Sequence, residues 1–483
     1  MFVHLLKIGI AFLLVSVIWV AVLLRWRRGI ELSLLFMPIA GAVELWLYPA
    51  AWGVLVKDIL FIAPAYIGFA MSGEFGSALK DIPKPFLTTV LLFAGIILVQ
   101  AFNPDGPGLV ATLIGLKVWL WYIPVFLLGT AYVRDKASLL RLSRLIIGLI
   151  WLPCIIGIIQ WLLSLAIGYH QAIQMFYGAA AVVATQEFAR FKSVGLMRIP
   201  STFSFATQYL DYLLCMFVPV LGCASLEDNP FWRKLRVLSL VLICIAGFMT
   251  GERAAFAMIP IVLGVFYLLR RGALGILWVG VLVAAALIVV LSISGIDPTN
   301  LLQMETNLSE QYTNTQADEI VRAIHLTWIG RGVGTSTGAV RDATDSGENP
   351  MFEGYYAKAV AELGIAGCIL AIATQLSVII LALRARSYFR GTELEPYCDA
   401  IAALAVVCLI YSYKGPIMSL DPPDSLYWLF AGMLFSFPRV ARQQAAEKVR
   451  RFGPARGWLP FGGGLLQPGA PQNAFISARE TRA

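Results

Sequence analysis

The chain has 483 residues, of which 59% are hydrophobic and only 14% charged, with a formal net charge of +8. Soluble domains average about 45–50% apolar and roughly 25% charged residues, so a water-soluble enzyme is excluded. At about 20 apolar residues per membrane span, the length holds roughly a dozen helices and leaves no room for a large soluble catalytic domain.

Apolar runs fall near residues 5–24, 32–48, 54–71, 86–102, 112–133, 145–168, 205–224, 237–250, 254–269, 273–294, 356–383, 398–413 and 425–438. The expected fold is therefore all-α and polytopic, with about 13 transmembrane helices. The first run lacks a small-residue cleavage site and is followed by Arg25, Arg27 and Arg28, which marks a retained span. Alternating from an N-terminus outside the cytoplasm, the inside connections carry seventeen basic residues and the outside ones eight. Basic residues collect on the cytoplasmic side, so the N-terminus is read as outside and the C-terminus as cytoplasmic. The same bias accounts for the net charge without a nucleic-acid partner.

Residues 1–438 form the expected transmembrane domain, and residues 439–483, basic and rich in Pro and Gly, a disordered cytoplasmic tail. Such a tail is either simply solvated or in contact with anionic membrane lipid. Two outside segments are long, 169–204 and 295–355, and loops on a rigid scaffold are where binding and catalysis concentrate. Cys154, Cys215, Cys223, Cys244, Cys368, Cys398 and Cys408 lie in or beside apolar runs without metal-ligand spacing, and His4, His170 and His325 are scattered. Neither a metal nor a cofactor is expected.

Three helices are expected to start at the outer surface, near Ser204, Arg253 and Tyr356. A helix N-terminus presents unpaired N–H groups and partial positive charge, which suits a phosphate. Arg198 precedes the first, Arg253 opens the second, and Arg331 and Arg341 lie upstream of the third, with Arg190 and Lys192 further candidates by charge and side. The apolar runs flanking Thr250-Gly251-Glu252-Arg253 are short enough for this turn to dip below the surface, where an arginine is expensive without a partner. The bland alternative is a snorkelling Arg253 paired with Glu252. Arg198 is either a phosphate ligand or a solvated loop charge. Asp211, in the outer leaflet, is either functional or a packing partner for a neighbouring helix. Glu353 stands at a loop-to-helix junction one turn before Tyr356. Partly desolvated, it would have a raised pKa and accept a proton from a hydroxyl; as a plain helix-start acid it would only complement the dipole. Arg331-Gly332-Val333-Gly334-Thr335-Ser336-Thr337-Gly338 lacks the spacing and context of a nucleotide loop and reads as a flexible, hydroxyl-rich segment approaching a sugar or phosphate. Glu44, Lys57, Asp58 and Lys117 lie near helix ends; Lys57 and Asp58 pair either locally or across helices.

These landmarks resemble, in order, those of the O-antigen ligase and Wzy-type polysaccharide polymerase superfamily over about residues 100–370. Phe102-Asn103-Pro104 with Gly115-Leu116-Lys117 is similar to the entry of a central helix in exopolysaccharide polymerases. Arg198 with Ser201-Thr202-Phe203, Thr250-Gly251-Glu252-Arg253-Ala254, Gly332-Val333-Gly334, and Glu353-x-x-Tyr356 leading to Glu362-Leu363-Gly364-Ile365-Ala366-Gly367 are similar to its later motifs. Ligases of the superfamily carry His-Asn where this chain has Glu353-Gly354, which favours a polymerase. The resemblance implies a C-type glycosyltransferase bundle in a bacterial inner membrane. Its donor would be an oligosaccharide on a polyprenyl pyrophosphate, the transfer inverting and metal-independent, and the product an exopolysaccharide, capsule or O-antigen. By position, Glu353 matches the base or acceptor-orienting residue, and Arg198 and Arg253 the pyrophosphate ligands. A chain-length regulator and export proteins would be partners. The alternatives are a ligase that transfers a finished glycan and, in another class, a flippase or transporter for a lipid-linked saccharide.

Overall fold

The structure, a computed structural model, describes residues 2–47, 53, 55–179, 181–182, 197–294, 316–337 and 352–452. Among these it is helical, without strands. In chain order the helices are α1 (Phe2–Leu24), α2 (Trp26–Leu47), a π-helical turn (Asp58–Ile62), α3 (Ala63–Met71), α4 (Phe75–Asp81), α5 (Lys84–Ala101), α6 (Leu109–Leu120), α7 (Val125–Tyr132), α8 (Lys136–Ile167) and α9 (Tyr169–Tyr177). There follow α10 (Ala206–Gly222), α11 (Pro230–Met249), α12 (Arg253–Arg271), α13 (Ala273–Ser294), α14 (Gln316–Leu326), α15 (Tyr355–Tyr388), α16 (Glu395–Tyr411) and α17 (Pro423–Phe452). Among the described residues, seven segments are long and apolar enough to cross a membrane: α2, α5, α6 with α7, α8, α10 with the turn after it, α12 and α15; the π-helical turn with α3, and α4, bent by 91°, make up to an eighth. Among the described residues, each apolar run of the sequence falls mainly on helix.

Large apolar side chains face outward on α1, α5, α8 and α13, among them Leu14, Leu91, Leu92, Val99, Ile159 and Leu277. The mostly apolar interior also holds lysines and carboxylates, such as Lys57, Asp58 and Glu362. An apolar outer surface with paired charge inside suits a lipid surround. Helix α10 is the centre: every residue but Thr207 is buried, as a helix apolar almost all round requires. It packs on α8, α11, α16 and α17.

Connections gather at two ends. At one, which we call the basic end, Arg27 and Arg134 hold Glu74, Lys136 holds Glu393, Arg144 holds Glu227, Arg270 and Arg386 hold Asp399, and Arg439 holds Asp81. At the other, the loop-rich end, Lys57 meets Asp421 and Arg198 meets Glu252. Among the described residues, every ion pair between connections joins two connections of the same alternating set. The assignment of charges to two sides thus has a geometric counterpart.

Four expectations change. The long segments carry short amphipathic helices: α9 buries Ala172, Ile173 and Tyr177 against α2, and α14 packs Ala323 on the start of α15. The run 112–133 is broken between Leu120 and Val125, where Pro124 cannot continue a helix, and the Trp121 carbonyl accepts the Tyr66 hydroxyl at 2.7 Å. Helices α11 and α12 have 20 and 19 residues, because both extend beyond their apolar runs into basic residues. At 1.5 Å per residue they reach about 30 Å, so short flanking helices do not pull the Thr250 turn inward. Finally, α17 continues to Phe452, past the expected start of the tail at 439, since Ala441 to Lys448 is rich in Ala, Gln, Arg, Glu and Lys, all strong helix formers. Residues 453–483 lie outside the described residues.

Helices α7 and α17 cross closely because glycines face each other. A β-carbon at Gly432 would overlap the Phe126 carbonyl, and one at Gly129 the Leu429 carbonyl; small residues allow such approach in membrane bundles. Gly432→Leu is therefore expected to wedge the pair apart and destabilise the protein by about 1–3 kcal/mol or more. A melting temperature in detergent equal to that of the parent chain would contradict this packing.

Candidate functional site

The segment before α10 is tied down from several sides. Ser201 has a left-handed backbone (φ 53°), a conformation that costs of order 1–3 kcal/mol in a non-glycine residue unless its surroundings over-determine it. They do: its hydroxyl donates to the Pro153 carbonyl at 2.5 Å, and its own carbonyl accepts from Gln160 at 3.1 Å and from the Tyr177 hydroxyl. In α2, Pro38 lacks an N–H but the Ala42 amide donates to the Thr202 carbonyl at 2.8 Å. Gly41 lets the Phe203–Ser204 backbone approach, since any β-carbon there would overlap it.

This anchoring delivers Arg198 to the turn between α11 and α12. The Ile199 amide donates to the Thr250 carbonyl at 3.0 Å. Gly251 (φ 71°) sits against the Met197 carbonyl, so the glycine serves both conformation and contact. The Arg198 guanidinium lies 3.4 Å from the Glu252 carboxylate, which also accepts the Thr207 hydroxyl at 2.8 Å. Arg253 opens α12 immediately after Glu252.

A third segment completes the group. The Tyr355 and Tyr356 amides donate to the carbonyls of Gly415 (3.3 Å) and Ser412 (3.2 Å), which ties the turn after α16 to the junction that carries Glu353. Lys414, on that turn, is half-buried and lies within electrostatic reach of Glu353, Arg253, Glu252 and Arg198. Burial pushes its ammonium below the ordinary lysine range; Glu353 and Glu252 oppose that shift, and Arg253 and Arg198 add to it. The buried Glu319 of α14 accepts from the Gly354 amide at 3.5 Å, and burial pushes its carboxyl up. Arg322 of the same helix lies over the Phe352 ring. Arg198, Glu252, Arg253, Glu353 and Lys414 thus converge from four separate parts of the chain.

Beside this group lies a buried ionic network. Lys57 is 2.7 Å from Asp421 and 3.4 Å from Asp58; Lys117 is 2.9 Å from Asp58, which also accepts the Tyr122 hydroxyl at 2.8 Å. Lys57 and Asp58 pair both locally and across helices. Ser204 donates to Glu44, and Gln208 donates to the Asp421 carbonyl. The Arg198–Gln208 stretch therefore joins the cationic group to the network.

Several sequence expectations require correction here. The start of α15 is no open anion site, because the Tyr355 and Tyr356 amides already donate to carbonyls. Tyr356 is turned inward, its hydroxyl donating to Gln375 (2.9 Å) and the Leu409 carbonyl (2.8 Å). Glu353 is exposed, where the sequence pattern predicts partial burial at this junction. Asp211 is fully buried, with no hydrogen-bond partner for either carboxylate oxygen among the described residues. Arg331 lies in the 328–334 segment rather than beside Lys414, and Arg190, Lys192 and Arg341 lie outside the described residues.

The glycine-rich segment is not a flexible ligand loop either. Residues 332–337 are buried, and their donors converge on Glu362. This carboxylate accepts from the Gly334 amide (2.8 Å), the Ser336 amide (2.8 Å), the Thr337 hydroxyl (3.0 Å) and the Trp119 indole (2.6 Å). The anion in the loop is the protein's own.

Sequence reading counted Lys414 only for sidedness and did not single out Glu319. Lys414 had a usable signal, as the sole basic residue of its outside connection; Glu319 had none beyond its place on an amphipathic helix. In comparisons with known proteins, no family model matches the chain and no curated protein is significantly similar to it.

Removing the Glu362 carboxylate leaves two buried amides, a hydroxyl and an indole N–H without their acceptor. Hydrogen bonds to charged groups contribute about 1.5–3 kcal/mol each, so Glu362→Ala should lose about 3 kcal/mol or more and lower both the melting temperature and the amount of protein in the membrane. Unchanged thermal stability would show that the loop is held by other contacts.

Proposed function

We propose that the chain is a membrane glycosyltransferase that polymerises oligosaccharide repeat units carried on a polyprenyl pyrophosphate, with about 13 membrane spans and its loop-rich end on the outer face of a bacterial inner membrane. The observation that carries this reading is the convergence of Arg198 and Arg253 with Glu353 at one end of the bundle. Two of these are cations suited to a diphosphate leaving group, and the third is a solvent-open carboxylate suited to a hydroxyl. The excess of basic residues at the opposite end supports the orientation, with the C-terminus cytoplasmic.

The chemistry follows from the charges. A sugar hydroxyl of the acceptor attacks the anomeric carbon of the donor, the bond to the pyrophosphate oxygen breaks, and configuration at that carbon inverts. Glu353 accepts the hydroxyl proton as the new bond forms. Arg198 and Arg253 stabilise the negative charge that builds on the departing diphosphate, and Glu252, engaged with Arg198 and Thr207, orients Arg198. Exposure of Glu353 before substrate arrives lets a bulky saccharide reach it; the saccharide then excludes water from it.

A flippase for the same lipid-linked saccharide is the rival of another class. The distribution of buried charge argues against it. Among the described residues, buried Glu227 and Asp399 lie at the basic end, while Lys57, Asp58, Asp211, Glu252, Glu319, Lys358, Glu362 and Asp424 all lie within a few turns of the loop-rich helix ends, which leaves no relay along the bundle. In a deletion strain, lipid-linked single repeat units should accumulate on the outer face; accumulation on the inner face would establish the flippase instead. A polymer that forms at normal length but stays unattached would point to the ligase.

Glu353→Gln should reduce chain extension by about 10²–10⁴-fold, and Arg253→Ala by about 10²–10³-fold, both at unchanged protein level in the membrane. Arg253→Lys should also be poor, since an ammonium cannot reproduce a two-point guanidinium contact. Long polymer of normal yield from Glu353→Gln would remove the proton-acceptor role.

A further inference from the structure

We propose that Lys414 is a third cationic contact for the diphosphate, closing the group of Arg198 and Arg253 on the side of Glu353. The inference rests on the glycosyl-transfer reading and extends it to a residue outside the ordered motifs.

Its basis is placement. The turn 412–415 is held against the start of α15 by two backbone hydrogen bonds, from Tyr355 to Gly415 and from Tyr356 to Ser412. Those bonds fix Lys414 within a residue of the Glu353 junction. The turn is further anchored in the same connection by Asp421, which meets the buried Lys57 at 2.7 Å. Four charges lie within electrostatic reach of Lys414: Arg198 from the segment before α10, Glu252 from the Thr250 turn, Arg253 from α12 and Glu353 from the α15 junction. Of the tyrosines packed there, the Tyr356 hydroxyl is engaged with Gln375 and Leu409.

Three cations face two carboxylates, and one of those, Glu252, is shared by Arg198 and Thr207. Leaving out Lys414 itself, the two arginines and the two carboxylates cancel, so half-burial is what tips the balance against the Lys414 ammonium. A diphosphate placed among the three cations reverses the balance, restoring the charged form of Lys414 while binding it. Ligand affinity then depends on the protonation of Lys414, and it falls with rising pH at lower pH than for an ordinary lysine. An arginine at the same position stays charged throughout.

The test uses full-length protein in detergent, with inorganic pyrophosphate as probe and binding followed by calorimetry from pH 6 to 10. Lys414→Met should weaken binding by about tenfold or more, the equivalent of one charged hydrogen bond, and Lys414→Arg should restore it and hold it to higher pH than the parent chain. Lys80→Met, at the basic end, should bind as the parent does. If Lys414→Met folds poorly, the different pH profiles of the parent and Lys414→Arg decide the matter. Equal affinity and equal pH profiles for all forms would overturn the role of Lys414 and leave the glycosyl-transfer reading standing. A parent chain that binds neither pyrophosphate nor a polyprenyl diphosphate in mixed micelles would overturn both.

Discussion

In a bilayer every backbone N–H and C=O must find its partner within the protein, and the region around Gly364 shows how the rest of this structure depends on meeting that demand. Gly364 (φ 78°) interrupts α15. The groups freed by the break are taken up by residues 328–332: Ile365 donates to Trp328 (3.0 Å), Arg331 to Ala361 (2.9 Å) and Gly332 to Glu362 (3.2 Å). The Glu362 side chain then gathers the next donors, from Gly334 to Thr337. On the far side, Gln100 and Asn103 donate to the carbonyls of Ile329 and Gly330 at 2.6 and 3.1 Å. The broken helix, the glycine-rich segment and the end of α5 thus form one hydrogen-bonded unit, and the first half of α15 stays buried on all sides.

That unit positions the chemistry indirectly. Because the start of α15 is fixed, its amides dock the turn after α16, and Lys414 and Glu353 come together. The Lys57–Asp421 pair anchors the same connection from the other side. Removing one member of such a buried pair typically costs about 3–5 kcal/mol, because a charge is left uncompensated. The network is therefore better understood as a device that fixes loop register than as a source of net stability.

Much of the candidate site was legible before the fold. Arg198, Glu252 and Arg253 stand out because charge is scarce in this chain and because each lies in a turn with Gly, Pro or hydroxyl residues. The roles of Glu362 and Lys414 were not legible in the same way. A carboxylate that accepts four hydrogen bonds looks, in sequence, like any acid near a helix start, and three of its donors lie 25–28 residues upstream and the fourth, Trp119, 243. Likewise Tyr356 reads as a site residue by its spacing from Glu353, yet the direction of its side chain depends on where α16 packs.

Sequence alone determined that the chain is helical, that several of its helices are apolar enough to cross a membrane, and where most of those helices lie. Those properties follow from composition and local periodicity, which act over one or two turns. Tertiary structure decided that the amides at the start of α15 are spent on neighbouring carbonyls, that the glycine-rich loop encloses the protein's own carboxylate, and that the turn carrying Lys414 docks beside Glu353. The physical reason is that hydrogen bonds and ion pairs satisfy donors by proximity in space, and in this fold the partners lie tens to hundreds of residues apart.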